Sequence, residues 1–212
     1  MDGTLLPGTT ASLEIARQVG GQDWLHALEL DFRQGLLDTK GFAAALHAGW
    51  TGLTPQVVLA AFETAPELRR IRATVEALHE RGDHAAVLSM SPDFFVSHFT
   101  AYGFDRAIGS RFPALPFRRA LDHDGILTFE DKPRLVTELC HRLGTDPARV
   151  VAYGDSQSDV PLFGRAAVSV AVNADHHAAR MASVSYDGDD LYEAYQLGLG
   201  VLGAPGRPSG DR

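Results

Sequence analysis

The chain has 212 residues, 45% of them hydrophobic, with a formal net charge of −8; that is enough for one domain with an insertion and a sizeable core. The acidic balance argues against a nucleic-acid groove or an anionic membrane surface as the main partner. No apolar run reaches the ~20 residues of a membrane span and no signal peptide opens the chain, so a cytoplasmic protein is expected; the single cysteine, Cys140, excludes an intrachain disulfide.

Met1-Asp2-Gly3-Thr4 opens the chain with no strand ahead of it. From Ser12 to about Thr64 apolar residues recur at helical spacing (Leu13, Ile15, Ala16, Val19; Trp24, Leu25, Leu28, Phe32; Phe42, Ala45, Leu46, Trp50), with Gly20-Gly21 and Gly35 as breaks. Thr54-Pro55 reads as an N-cap with Pro at the first helical position of a fourth helix. Leu68, Ile71, Val75 and Leu78 form another helical stripe, stopped at Gly82. Ala85–Ser89 is a strand that ends in a hydroxyl residue, and Ser91-Pro92-Asp93 opens a helix through Phe99. Arg106–Gly109 is a short strand. Asp124-Gly125 among alternating residues of 113–129 predicts a β-hairpin. Asp131 caps a helix that begins Lys132-Pro133 and ends at Gly144. Strands follow at Val150–Gly154, Val168–Val172 and Val184–Tyr186. The Gly, Pro and Ser-rich tail, 203–212, is expected to be disordered.

Strands that alternate with helices after residue 65 predict an α/β fold: a Rossmann-like parallel sheet with flanking helices, with a small helical insertion over 12–64 and the core in 1–11 and 65–202. Within it, the apolar run before Gly154 reads as a buried strand that delivers Asp155 to its carboxyl end. Asp159, at i+4, shares that face. Open α/β sheets place their sites there, and crowded carboxylates call for a hard cation such as Mg²⁺. Taken singly, Ser89 is an ordinary strand-end hydroxyl and Lys132 an ordinary surface lysine. In conjunction, Asp2-Gly3-Thr4, Ser89, Lys132 and Gly154-Asp155 with Asp159 supply an acid, a hydroxyl, a lysine and a metal carboxylate, which is what phosphoryl transfer needs.

The order of these elements resembles a phosphatase of the haloacid dehalogenase (HAD) superfamily, in the branch similar to phosphoserine phosphatases. That family's pattern is D-x-D-G-T, a strand-ending Ser or Thr, a Lys, and G-D-x-x-x-D. Val87-Leu88-Ser89-Met90-Ser91-Pro92, Lys132 and Tyr153–Asp159 match the last three elements, and the helical 12–64 segment lies where the cap is inserted. The resemblance implies Mg²⁺-dependent hydrolysis of a small phosphorylated metabolite through an aspartyl-phosphate. Asp2 would be the general acid and, through its carbonyl, a metal ligand. Gly3, Ser89, Met90 and Lys132 would hold the phosphoryl group, Asp155 would bind the metal, and Asp159 would share the ion or act from behind it.

The resemblance also places the nucleophilic Asp two residues before Asp2, a position the 212 residues do not contain. In the family the strand carrying it lies between those ending at Ser89 and Asp155, so the sheet is expected to be split and Asp2 frayed. Loss of strand and nucleophile together points to a start assigned at an internal Met; the 212 residues alone would then be impaired. The alternative is a non-catalytic remnant that binds phosphate or a partner. The positions at which phosphoserine phosphatases grip their substrate hold Thr9 and Gly49 here, so weak turnover of phosphoserine is expected. Glu14 or Glu29 with Arg33 could stand in for that grip, but the favoured reading of all three is solvated helix faces.

Overall fold

The computed structural model describes residues 1–203 of the chain; the expected disordered tail lies outside them apart from Gly203. Four helices follow the opening turn: α1 (Ala11–Val19), α2 (Gln22–Arg33), α3 (Thr39–Gly49) and α4 (Pro55–Thr64). Three of them start at side-chain caps, where Thr10, Asp38 and Thr54 accept the backbone N–H groups of Leu13, Gly41 and Val57. Their apolar stripes meet: α1 packs on α4 and α2, and α2 on α3. Ile15, Ala16, Leu25, Leu46, Val58 and Ala61 are buried between them.

The remainder alternates strands and helices. After α5 (Ile71–Glu80) come β1 (Ala86–Pro92), the short α6 (Asp93–Val96) with a 3₁₀ extension over Ser97–Tyr102, and β2 (Arg106–Ser110). Helix α7 (Asp131–Leu143) leads to β3 (Val151–Gly154), and a single turn, α8 (Val160–Phe163), follows it. Strand β4 (Val168–Val172), helix α9 (His176–Met181), strand β5 (Val184–Tyr186) and helix α10 (Leu191–Gly203) close the described chain. Every residue of β4 is buried, as expected of a parallel strand covered on both faces.

All strand pairs are parallel, and they form two sheets: β1 with β2, and β3–β4–β5. No strand pairing joins β1 to β3 among the described residues, so the sheet is split between the strand that carries Ser89 and the one that precedes Asp155.

The structure departs from the sequence reading at three places. Asp131 does not cap α7: it is the helix's first residue, Glu130 stands at the N-cap position without a side-chain bond, and Asp131 accepts from Thr128 N at 2.9 Å. The hairpin over 113–129 is absent: those residues form a loop with one 3₁₀ turn at His123–Gly125. Side chains satisfy that loop's backbone in place of a ladder. Asp122 accepts from Asp124 N at 3.1 Å and pairs with Arg111 at 2.5 Å, while Ser110 Oγ accepts from Leu127 N at 3.0 Å. Helix α10 has no counterpart in the sequence reading, because Gly198 and Gly200 interrupt its apolar pattern. The structure explains Gly198: a Cβ there would stand 2.7 Å from the Tyr153 hydroxyl and 3.1 Å from Val151 and Val170. The glycine lets α10 lie directly on β3 and β4. Among the described residues no helix is long and apolar enough to cross a membrane.

Candidate active site

The carboxyl ends of β1 and β3 bring together all the residues singled out in the sequence. Residues 1–9 fold into a compact turn in which the Met1 carbonyl accepts from the N–H groups of Thr4, Leu5 and Leu6 at 2.8–3.2 Å. This turn aims Asp2. One carboxylate oxygen accepts from Ala11 N at 2.7 Å, at the start of α1, and the other accepts from the hydroxyls of Ser89 at 3.2 Å and Ser91 at 2.6 Å. The expectation of a frayed Asp2 is therefore corrected, since three donors from two elements fix its carboxylate. Ser91 was not among the candidates. Its signal lies in the spacing, since residues two apart on a strand share a face, so Ser89 and Ser91 reach Asp2 together.

Gly3 has φ +68°, and a Cβ on it would lie 2.1 Å from Asp155 Oδ2. Its N–H donates to the Thr9 carbonyl at 3.1 Å, so what Gly3 gives the site is room for the Asp155 carboxylate. Thr4 donates its hydroxyl to Asp155 Oδ1 at 2.8 Å. Asp155 Oδ2 takes no donor among the described residues. Burial, together with the neighbouring carboxylates of Asp159 and Asp2, pushes the Asp155 carboxyl up to about 6, against the Met1 ammonium and the Thr4 hydroxyl, which oppose the rise.

Lys132, in the first turn of α7, and Asp159, after β3, form a buried ion pair at 2.6 Å, with side-chain exposures of 8% and 12%. Lys132 also donates to Ser158 Oγ at 2.9 Å, and Asp159 Oδ2 accepts from the backbone N–H groups of Asp155 and Ser156 at 3.0 and 3.3 Å. Burial opposes ionisation of Asp159, but the ammonium groups of Lys132 and Met1 and the backbone donors outweigh it and hold its carboxyl below the usual range. Both Asp159 oxygens are thus engaged by protein donors. Gly154 makes this possible, since a Cβ there would come within 2.4 Å of the Asp159 carboxyl carbon. Met90 lies at the same strand end, its carbonyl accepting from Ser110 Oγ at 2.7 Å.

A hard cation is suited to part of this arrangement. Asp155 offers a desolvated carboxylate with an undonated oxygen beside a second acidic group, Asp2, which matches the oxygen preference of Mg²⁺. Among the described residues, however, no cluster of three or more His, Cys, Asp or Glu side chains is set to hold a metal by itself. The residues fit one half of a cation site.

Above the site sits α2. Glu29 accepts from the Thr10 hydroxyl at 2.9 Å and lies within electrostatic reach of Asp2, His26 and Arg33; burial raises its carboxyl above the ordinary value. Phe32, one residue before Arg33, packs edge-on against Phe129 at 6.2 Å, three residues before Lys132. Glu29 therefore faces the site, contrary to its reading as a solvated helix face. Glu14 turns inward, 2% exposed, and is taken up by Thr9 and Arg17.

Known proteins resemble the chain in sequence and in fold. The profile of the haloacid dehalogenase-like hydrolases matches residues 1–164. A phosphoserine phosphatase of Archaeoglobus fulgidus is 26% identical over 196 residues, covering 90% of this chain and 56% of that protein. The chain spans about half the length of that relative, and shorter matches at 32–41% identity span under a third of theirs. In fold, a HAD family hydrolase of Salmonella enterica serovar Typhi aligns with a TM-score of 0.80 at 20% identity, over 92% of this chain and 68% of that one. A substrate-bound phosphoserine phosphatase complex aligns with a TM-score of 0.77 at 22% identity, over 93% and 94%.

Proposed function

Since the chain belongs to the haloacid dehalogenase-like hydrolase family, we propose that it carries the acid, phosphate-binding and metal-binding parts of a phosphatase that hydrolyses a small phosphomonoester through an aspartyl-phosphate. The observation that supports this best is the convergence of Asp2, Ser89, Lys132 and Asp155 at two strand ends. Asp2 holds a proton position: its carboxyl protonates the leaving oxygen, then takes a proton from the water that opens the aspartyl-phosphate. The Ser89 hydroxyl, the Met90 N–H and the Lys132 ammonium bind the phosphoryl oxygens. Asp159 positions Lys132 and, through the backbone N–H of Asp155, the loop after β3. Asp155 and the Asp2 carbonyl would hold Mg²⁺, which when bound neutralises phosphate charge. Helices α1–α4 act as the cap that closes over the substrate, with Glu29 on its inner face.

The nucleophile in this scheme is an Asp placed immediately before Met1. The test is turnover of p-nitrophenyl phosphate with Mg²⁺, by the 212-residue chain and by a chain extended at its amino end through such an Asp. The expected result is turnover by the extended chain alone, abolished when that Asp is Asn. Two inert chains that still bind inorganic phosphate would favour a non-catalytic phosphate-binding protein.

A further inference from the structure

The two oxygens of the Asp2 carboxyl face donors of different kinds. Oδ1 accepts from the Ala11 N–H at 2.7 Å, and Oδ2 from the hydroxyls of Ser89 at 3.2 Å and Ser91 at 2.6 Å. A backbone N–H only donates, whereas a hydroxyl turns about its C–O bond to donate or accept. When Asp2 is protonated its hydrogen therefore sits on Oδ2, because on Oδ1 it would point at the hydrogen of Ala11. The oxygen that gives up the proton is the one the two serines surround.

Those serines are not equivalent. Ser89 Oγ accepts from the Ser91 N–H at 3.1 Å, and in the phosphatase reading its one hydrogen serves a phosphoryl oxygen. That hydrogen cannot also stay on Asp2, so a bound phosphoryl group leaves Oδ2 to Ser91. Among the described residues the Ser91 hydroxyl bonds to Asp2 alone, which leaves it free to turn. The strand is shaped to bring it there. Pairing of β1 with β2 holds register through Leu88 and shifts before Pro92, and irregularities of this kind beside a site re-aim side chains. Gly109 of β2 makes room for the displaced backbone: a Cβ on it would lie 2.6 Å from the Ser91 carbonyl oxygen and 2.8 Å from Asp93 N. Ser110 Oγ, donating to the Met90 carbonyl at 2.7 Å, fixes the shifted segment.

We propose that Ser91 is a positioning residue for proton transfer by Asp2. Before transfer its oxygen accepts the Oδ2 hydrogen. As phosphorus passes to the nucleophilic carboxylate, the ester P–O bond breaks and its electron pair stays on the leaving oxygen, which takes that hydrogen from Oδ2. Asp2 is left as a carboxylate, and the Ser91 hydroxyl turns to donate to it. A hydrogen bond to a carboxylate is stronger than one between neutral groups, so Ser91 favours the state that transfer produces. Water returns a proton to Oδ2 when the aspartyl-phosphate opens. The proposal rests on the phosphatase reading, and its test tells the two apart.

Two esters, p-nitrophenyl phosphate and glycerol 2-phosphate, are compared as substrates of the Asp-extended chain with Mg²⁺. p-Nitrophenolate leaves as a stable anion without an acid, whereas the alkoxide of glycerol needs one. The quantity read is kcat/KM, which ends with formation of the aspartyl-phosphate, before water reacts. Ser91→Ala is expected to lower it about 30-fold for glycerol 2-phosphate, the loss of one hydrogen bond to a charged group, and by less than about threefold for p-nitrophenyl phosphate. Turnover of the aryl ester also shows that the variant is folded. Ser91→Cys keeps the volume but offers only a weak S–H donor, so it is expected to follow Ser91→Ala if the latter does not fold. Ser91→Thr keeps the hydroxyl and is expected to restore the alkyl ester to within about threefold. Equal losses on the two esters, or an alkyl ester unaffected by both Ser91→Ala and Ser91→Cys, overturns the proposal and leaves the phosphatase standing. An extended chain with Ser91 intact that turns over neither ester refutes the phosphatase reading itself, and the role of Ser91 falls with it.

Discussion

Replacing Lys132 by Met separates the electrostatics of the site from its packing. Methionine keeps most of the apolar stem, so what is lost is the ammonium 2.6 Å from Asp159 and 2.9 Å from Ser158. Breaking a buried ion pair on one side costs about 3–5 kcal/mol, mainly for the charge left behind. Asp159 is 12% exposed and keeps two backbone donors, from Asp155 and Ser156, which places the cost near the lower end, about 3 kcal/mol. For a chain of this size that lowers Tm by about 6–12 °C. The effect must depend on pH. The folded-state pKa of Asp159 is depressed in the native chain, so its stabilisation is present above the unfolded carboxylate pKa and is lost as pH falls through the lower folded value. The deficit of Lys132→Met should therefore shrink in acid. Adding Asp159→Asn removes the stranded charge and should restore more than half of the lost stability at pH 7. The assay is urea unfolding of the native chain and of the single and double variants at pH 7 and at about pH 2.5, below the unfolded carboxylate pKa of about 3.9. A single variant as stable as the native chain, or a double variant whose losses simply add, would refute the account of a buried, coupled pair.

Other substitutions probe the neighbouring groups. Asp155→Asn removes a carboxylate that burial pushes up to about 6; the native chain loses stability as pH rises from about 4 to 6, so without Mg²⁺ the variant should be more stable at pH 7 by about 1–2 kcal/mol. Thermal melts with and without Mg²⁺ should also show the metal raising Tm of the native chain only. Gly3→Ala puts a methyl group where Asp155 stands 2.1 Å away and strains a backbone at φ +68°. It should cost about 1–3 kcal/mol in chemical denaturation. In a catalytically competent extended chain, Glu29→Gln should raise KM about tenfold for a phosphomonoester bearing an ammonium group, the loss of one charged contact. KM for p-nitrophenyl phosphate should stay unchanged; equal effects on both substrates would remove Glu29 from the substrate surface.

Much of this arrangement is legible in the chain because its signals are local. Thr54 caps the helix it immediately precedes, and Val151–Gly154 is an apolar run that ends in Gly-Asp. The order of Ser89, Lys132 and Asp155 carries the family resemblance, and the family match runs across all three. What is not legible depends on packing across the fold. Helix α10 hides because Gly198 breaks its pattern, and the reason for that glycine is a contact with Tyr153, 45 residues away in sequence. The side of α2 that Glu29 faces depends on where the helix docks, and Phe129 helps to set that docking. The Asp-Gly pair in 113–129 carries a genuine turn signal, but Arg111 and Asp122 spend it on a loop.

The engagement of Asp159 changes how the acidic groups divide their work. Two carboxylates four residues apart after one strand look interchangeable in sequence, and both are candidates for a cation. Their surroundings make them opposites. Asp159 is supplied with a lysine, two backbone donors and a low pKa, so its charge is already balanced. Asp155 has one hydroxyl, a glycine cleared away from its second oxygen, and a raised pKa. Environments that push paired carboxylates apart in this way assign them different roles. An incoming cation gains most at the group whose charge the protein leaves uncompensated, and that group is Asp155.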